Sequence, residues 1–327
     1  MAGRDPILRV ERVKKYFKLS VGTVRAVDDV SFDVREGETF ALVGESGSGK
    51  TTTGYMIMGI YAPTSGRILY KGTDISVPAH KRPAWVKREI QIVFQDPGTS
   101  LNPAKYVKDI VALPLVVNRL VEDSREIEER VARLLEAVEL PPDIMYRKPR
   151  DLGGGEKQAV AIARALAAEP RFIVLDEPTS ALDVSAQAKI VSLLMRLQRE
   201  RRLSYLLITH DLSIVRNIAT RVAVMYLGKI VEIGPVEKIF KNPLHPYTRM
   251  LLAAAPVILR EEEELLPRDV IPVGEIPSAM NPPPGCRFHT RCPFVMDECR
   301  KIEPKLLEAE PGHYVSCHLY KEQPVSQ

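Results

Sequence analysis

Three things are scarce in this 327-residue sequence. No cysteine occurs before position 286, so any thiol-ligated centre is confined to the C-terminal tail. Apolar runs are short. The longest, MLLAAAPVIL (Met250–Leu259), falls far below the ~20 residues that a membrane-spanning helix needs. The first residues, MAGRDPILRVERVKKYF, lack the apolar stretch of a signal peptide. Together these point to a cytosolic protein whose membrane role, if any, runs through a partner. Strong charge of one sign is missing as well. The net charge is +4 and spread along the chain, and the basic cluster RLQRERR (196–202) reads as the exposed end of a helix. The charge pattern therefore does not require a nucleic-acid partner.

What is present is the balance of a globular chain, 45% hydrophobic and 27% charged, with length for one large domain or two ordinary ones. Residues 7–40 alternate polar and apolar, as half-exposed antiparallel strands do. ETFALVG (38–44) is a short buried strand running into a glycine-rich turn. Further strands are expected at 66–75, 90–94, 171–176, 204–210 and 221–234. In SREIEERVARLLEAVEL (124–140), Ile127, Val131, Leu134, Leu135 and Val138 share one helical face. The segment 185–202 does the same with Ile190, Leu193, Leu194 and Leu197. Strands alternating with helices predict an α/β fold with a mostly parallel, doubly covered sheet. The stretch 96–166 is poor in strands and reads as a helical insertion. After residue 240 an acidic run (261–264) and six prolines between Pro267 and Pro284 suit loops and extended chain. A boundary is expected there, giving a main domain over 1–240 and a small appended domain over 241–327.

GESGSGKTT (44–52) fits G-x-x-x-x-G-K-[ST] after a strand and before a helix. Gly44, Gly47 and Gly49 permit a compact turn that aims successive N–H groups at phosphate oxygens, with Glu45, Ser46 and Ser48 between them. Lys50 supplies a point charge for the terminal phosphates, and the Thr51 hydroxyl, followed by Thr52, can ligate Mg²⁺. RFIVLDEPTSALD (171–183) puts Asp176 at the carboxyl end of a strand, where Mg²⁺ would sit, with Glu177 placed to orient or deprotonate a water. LLITHD puts His210 at another strand end, able to hydrogen-bond a γ-phosphate. A lone histidine there is more often structural, but its companions favour the site.

Gly44–Thr52, Gln95 in IVFQDP, Asp176–Glu177, SALD (180–183) and His210 occur in the order of ABC-type ATPases, which residues 5–240 closely resemble. The resemblance implies a RecA-like core with an antiparallel β subdomain and a helical subdomain at about 96–166. It implies that Gln95 contacts Mg²⁺ and a membrane partner, and that Asp183 lies in the loop joining two ATP sites. It also implies an aromatic side chain stacked on adenine, for which Phe17 fits best and Tyr16 competes. QDPGTSLNP (95–103), NPLHPYTRMLLAAAP (242–256) and NPPPGCRFHTRC (281–292) further resemble the ATPase subunits of oligopeptide/dipeptide importers. In that family the ATPases sit in pairs on the cytoplasmic face of two transmembrane permease subunits, served by an extracellular substrate-binding protein. Cargo selectivity lies in those other subunits, with peptides the family default and oligosaccharides an alternative.

One motif departs from the pattern. ABC ATPases usually read Leu-Ser-Gly-Gly-Gln at 152–156, a segment that caps the γ-phosphate bound to the other subunit. This chain keeps Leu152, Gly154 and Gly155 but has Gly153 and Glu156. Loss of the hydroxyl removes a charge-assisted donor worth about 1.5–3 kcal/mol. An ionised Glu156 facing the phosphates would add about 2 kcal/mol of repulsion at 8 Å and an effective dielectric near 20. Alternatively, Asp151 caps the helix and Glu156 is a favourable acid in its first turn. The departure suggests a heterodimer with a second, non-identical ATPase subunit and two unequal sites.

The tail spacing, C-x5-C-x6-C-x17-C through Cys286, Cys292, Cys299 and Cys317, leaves several readings. A [4Fe–4S] cluster, as in the iron–sulfur tail of some importer ATPases that this segment resembles, is favoured by the long spacers. Zn²⁺ usually takes closer Cys pairs, disulfides suit oxidising compartments, and free thiols are the remaining reading. For the whole chain the leading expectation is the ATP-hydrolysing motor of an importer. The alternatives are a nucleotide-binding regulatory subunit with little hydrolysis and a soluble, non-transport ABC ATPase.

Overall fold

The computed structural model describes residues 6–254 and 274–320. The acidic run 261–264, Pro267 and Pro272 lie outside the described residues. The period-two pattern near the N-terminus becomes an antiparallel hairpin, Leu8–Leu19 against Gly22–Val34, with Leu19 opposite Gly22. Ser65–Tyr70 and Thr73–Asp74 complete a four-stranded antiparallel sheet on its far side. One face of that sheet carries Leu8, Val10, Val13, Val27, Val30, Phe32 and Ile68, all buried.

The main sheet has eight strands in the order Leu307–Glu310, His313–Val315, Lys229–Pro235, Arg221–Tyr226, Thr39–Val43, Ser204–Thr209, Phe172–Asp176, Ile90–Val93. From Arg221–Tyr226 to Ile90–Val93 every pairing is parallel. Thr39–Val43, Phe172–Asp176 and Ser204–Thr209 are buried at every residue. That explains their unbroken apolar character: a strand covered on both faces has no polar side to show.

Two large apolar cores result among the described residues, beside a small third cluster of Leu244, Val315 and Cys317. One joins the antiparallel sheet to the main sheet through Phe40, Leu42, Met56, Ile57, Phe172 and Val174. The other packs the opposite face against the helices Val107–Val117, Ser124–Ala137, Gly154–Leu166 and Val184–Arg201. The predicted faces are the ones used: Val131, Leu134, Leu135 and Val138 are buried, as are Ile190, Leu193, Leu194 and Leu197. Ile127, nearer the helix start, is only partly covered.

The described C-terminal residues differ from the sequence expectation of a separate Cys-containing domain. Their two strands extend the main sheet, with Ile233 opposite Tyr314 and Glu232 opposite Val315. Phe288 is buried in the same core as the parallel strands. A short segment with few apolar residues cannot close a core of its own, so it completes the existing one. The Glu232 carboxylate, fully buried, fixes the junction: it accepts from the backbone N–H groups of Leu244 and His245 at 2.8 Å each and lies 2.7 Å from His313 Nε2.

Candidate functional site

Adjacent parallel strands bring their carboxyl ends to one edge, and the motif residues follow directly from those ends. Thr39–Val43 leads into the glycine-rich loop and the helix Lys50–Met58. Glycine is required at two points of the loop. A Cβ on Gly44 (φ 150°) would lie 2.2 Å from the Met225 carbonyl oxygen, and one on Gly49 (φ 106°) 2.3 Å from that of Ala26. The loop is thus pressed between the end of the strand Arg221–Tyr226 and the interior of the strand Gly22–Val34, with only Ser46 and Gly47 exposed at its crest.

Lys50 is buried, and its Nζ donates to the carbonyls of Gly44 (2.7 Å) and Glu45 (2.9 Å) and to Ser48 Oγ (3.4 Å). Burial lowers its pKa, opposed by the charges of Glu177, Asp176 and Glu45. Thr51 Oγ1 donates to Asp176 Oδ1 at 3.0 Å, while the neighbouring Thr52 is half-buried. Burial pushes the Asp176 carboxyl up from 3.8 to about 6, and the adjacent Glu177 charge adds to the shift while Thr51 and Lys50 oppose it. A buried carboxylate held at such cost, with a hydroxyl oxygen beside it, fits a hard divalent cation. Mg²⁺ commonly takes one or two protein oxygens and completes its octahedron with phosphate and water.

Glu177 itself has φ 47°, a left-handed conformation that is uncommon for a non-glycine residue. Its carboxylate joins two other strand-end residues. Gln95 Nε2 donates to Oε2 at 2.9 Å, and His210 Nδ1 lies 3.2 Å from Oε1. Three positions far apart in sequence thereby meet beside the phosphate loop.

The signature residues lie elsewhere. Gly153 is the N-cap of the helix Gly154–Leu166, and the Glu156 carboxylate accepts its N–H at 2.8 Å. Asp151 likewise accepts from the Lys148 N–H at 3.2 Å. Gly153 and Gly154 are exposed and Gly155 is half-buried. Asp183 caps the helix Val184–Arg201 by accepting from Ala186 N–H at 2.9 Å. It neighbours the signature helix, since a Cβ on Gly154 would lie 3.3 Å from Leu182 and one on Gly155 3.5 Å from Ala186.

The two aromatic candidates face different surroundings. Phe17 sits edge-on to Tyr61, with ring centroids 5.2 Å apart. The Tyr16 hydroxyl donates to Asp28 Oδ1 at 2.5 Å, and burial followed by this bond raises its pKa to about 12. Asp28 is bonded to the turn beside the phosphate loop, its N–H donating to the Gly228 carbonyl at 2.8 Å.

The cysteine reading is corrected. Among the described residues no group of three or more His, Cys, Asp or Glu side chains is arranged to hold a metal ion, and Cys286, Cys292, Cys299 and Cys317 are all free. Burial pushes the Cys286 thiol up to about 12, Cys317 to about 11, and Cys292 upward as well. Burial thus favours the neutral thiol at those three positions. Neither the iron–sulfur nor the zinc expectation stands, and the family resemblance holds without that tail chemistry.

Sequence reasoning missed how the tail meets the phosphate loop. The Glu45 N–H donates to the Tyr247 hydroxyl at 2.8 Å, and the Glu45 carboxylate forms a two-pronged pair with Arg291 at 2.8 and 3.1 Å. Both partners lie in blocks, NPLHPYTRM and GCRFHTRC, whose family likeness is visible in sequence. Nothing in the chain order shows that they converge on Glu45.

Comparison with known proteins agrees with this geometry. Residues 27–180 match the family model described as ABC transporter, and residues 231–299 match that described as oligopeptide/dipeptide transporter, C-terminal region. The chain is 47% identical over 319 residues to the putative oligopeptide transport ATP-binding protein YkfD of Bacillus subtilis, covering 97% of each chain. It is 46% identical to the oligopeptide transport ATP-binding protein AppF of the same organism, covering 98% of this chain and 99% of that one. Among solved structures it resembles the ATP-binding cassette MJ0796 in a dimer bound to ADP and Pi. That match has a TM-score of 0.63 and 30% identity, covering 70% of this chain and 98% of that one. It also resembles cbiO1 from Clostridium perfringens, with a TM-score of 0.64 and 31% identity, over 73% and 92% of the two chains.

Proposed function

This chain belongs to the ATP-binding subunits of ABC transporters, in their oligopeptide/dipeptide branch, and on that premise we propose how its residues work and with what partners. It is an ATP-hydrolysing motor subunit, and its transporter imports peptides. The observation that carries the mechanism is the meeting of Gln95, Glu177 and His210 on one carboxylate, beside the Thr51–Asp176 pair.

Backbone N–H groups of the loop Gly44–Thr52 and the Lys50 ammonium bind the phosphates, and the helix Lys50–Met58 begins at that point, favouring the anion. Thr51, Asp176 and Gln95 would hold Mg²⁺, which when bound would neutralise charge on the phosphate oxygens. Glu177 orients the attacking water and accepts its proton, while His210 fixes the Glu177 carboxylate and reaches the terminal phosphate. Catalysis is positioning plus charge stabilisation, as in phosphoryl transfer generally. Adenine stacks on an aromatic of the first strand. The anchored hydroxyl of Tyr16 favours it over Phe17, because Asp28 ties that ring to the turn next to the loop.

The partners are two permease subunits, an extracellular binding protein and a second, non-identical ATPase. No helix among the described residues is long and apolar enough to cross a membrane, so attachment at the cytoplasmic face runs through the permeases. Gly153 to Glu156 act across the dimer on the partner's nucleotide, with Asp183 in the loop between the sites. A homodimer would carry the missing Gly153 hydroxyl in both sites, which favours a heterodimer with one stronger and one weaker site.

The test is peptide-stimulated ATP hydrolysis by the reconstituted transporter carrying Glu177→Gln in this subunit. Loss of a general base lowers the rate by about 10²–10⁴-fold, and that collapse is the expected result. Unchanged hydrolysis would make the partner subunit the motor and this chain a nucleotide-binding regulator.

A further inference from the structure

Two arginines of one short C-terminal segment, four residues apart, reach the phosphate loop by separate routes. The direct route is Arg291. Its guanidinium, 5% exposed, grips the Glu45 carboxylate with both prongs and lies 5.8 Å from the ring centres of both Tyr226 and Phe288. The hydrogen bonds to Glu45 hold its pKa above even the usual arginine range, so the charge is permanent. The fully buried Tyr247 holds the backbone N–H of the same Glu45. The second loop residue is therefore fixed at both main chain and side chain from positions more than 200 residues away.

The indirect route is Arg287. It donates to the Leu227 carbonyl and to the Asp28 carboxylate, and both ion-pair partners are buried. The next residue in that turn, Gly228, donates its N–H to the Ser48 carbonyl of the loop at 2.8 Å and accepts from the Asp28 N–H at 2.8 Å. Asp28 in turn receives the Tyr16 hydroxyl. Arg287 thus fixes the turn that holds the middle of the phosphate loop and, through Asp28, the Tyr16 hydroxyl. Phe288, between the two arginines, is anchored against Tyr226 and Tyr247 in the core.

We propose that Arg291 and Arg287, with Tyr247, are positioning residues for nucleotide binding, making the C-terminal segment 286–292 a brace that pre-forms the ATP site. The inference rests on the nucleotide-binding reading above. A loop with three glycines at positive φ has much conformational freedom, and a free loop would have to lose it when nucleotide binds. Order imposed by the fold beforehand appears as affinity. The brace touches neither Glu177, Gln95 nor His210 in any hydrogen bond described above, so it acts on binding and not on the chemical step. Pairing Glu45 also removes an unpaired negative charge from the loop that receives the phosphates.

The experiment measures KM for MgATP, kcat and the thermal midpoint of the assembled transporter with Arg291→Ala, Arg291→Lys, Glu45→Gln, Arg287→Ala and the Arg291→Ala/Glu45→Gln pair. Loss of the two-pronged contact is expected to raise KM about 10-fold while kcat stays within about 3-fold. Arg291→Lys, which keeps the charge and loses the fork, falls between wild type and alanine. Because the two residues act as a unit, the double variant is no worse than Arg291→Ala alone. If Arg291→Ala and Arg287→Ala lower the thermal midpoint yet leave KM unchanged, the segment is structural only and the proposal fails. It fails equally if kcat falls as far as KM rises. A wild-type transporter that neither binds nor hydrolyses MgATP would instead overturn the nucleotide-binding reading itself.

Discussion

The Glu156 carboxylate turns back to accept the backbone N–H of Gly153 at 2.8 Å. The acid that looked misplaced beside a phosphate-seeking helix end is the N3 partner of a helix cap, bound to a donor that would otherwise point at solvent or at a phosphate. It still brings negative charge to that end.

Restoring the usual signature tests which effect matters more. A Cβ on Gly153 would meet only Glu156 Oε2 at 3.6 Å, an ordinary contact, and the backbone there is extended. Gly153→Ser/Glu156→Gln should therefore fold normally and still cap the helix. ATP binding at the opposite subunit's site is expected to tighten by about 10-fold or more, read as nucleotide bound per transporter at limiting ATP. Equal occupancy in the variant and wild type would show that the acid serves the cap alone.

His210 is expected to act on turnover. It meets Glu177 Oε1 at 3.2 Å, and its own side chain is 60% exposed, so its removal should leave the fold intact. His210→Ala is expected to lower kcat by about 10²–10³-fold with little change in MgATP affinity. Equilibrium nucleotide binding alongside steady-state hydrolysis separates the two quantities.

Asp176 should make the nucleotide-free protein less stable at neutral pH. Its folded-state pKa of about 6 exceeds the unfolded value of 3.8, so between those values the native state binds the extra proton. Stability is present below 3.8 and is lost as pH rises through about 6, a cost on the order of 3 kcal/mol at pH 7.5. Asp176→Asn is expected to raise the thermal midpoint of the Mg²⁺-free, nucleotide-free chain at pH 7.5 while abolishing hydrolysis. At pH 5 about half of that gain should remain. A gain that grows with acidity would contradict the sign.

Glu232 should be the costliest single position of the C-terminal junction. It is fully buried, and its oxygens take two backbone N–H groups and face His313 Nε2. Glu232→Ala is expected to destabilise by about 3–5 kcal/mol, because the two amides and the imidazole lose their shared partner in the interior. Glu232→Gln keeps one acceptor oxygen and should cost less. Chemical denaturation of the full chain reads both.

The sequence by itself determined the local parts. Unbroken apolar strands such as FALV and FIVL can only be covered on both faces, and the glycine–lysine–threonine loop after the first of them has one common use. Helix faces at 3.6-residue spacing and the strand-end acids Asp176 and Glu177 were legible for the same reason: each is set by neighbours a few positions away. The tertiary structure decided what depends on distant residues. It joined Gln95, Glu177 and His210, gave Glu156 to its own helix end, and left the four cysteines free where their spacing had suggested a cluster. It also carried the tail into the main sheet, so that Arg287 and Arg291 meet Asp28 and Glu45. The physical reason is that burial and pairing fix a side chain's charge and partner, and which chain segments exclude water from one another is a property of the assembled fold.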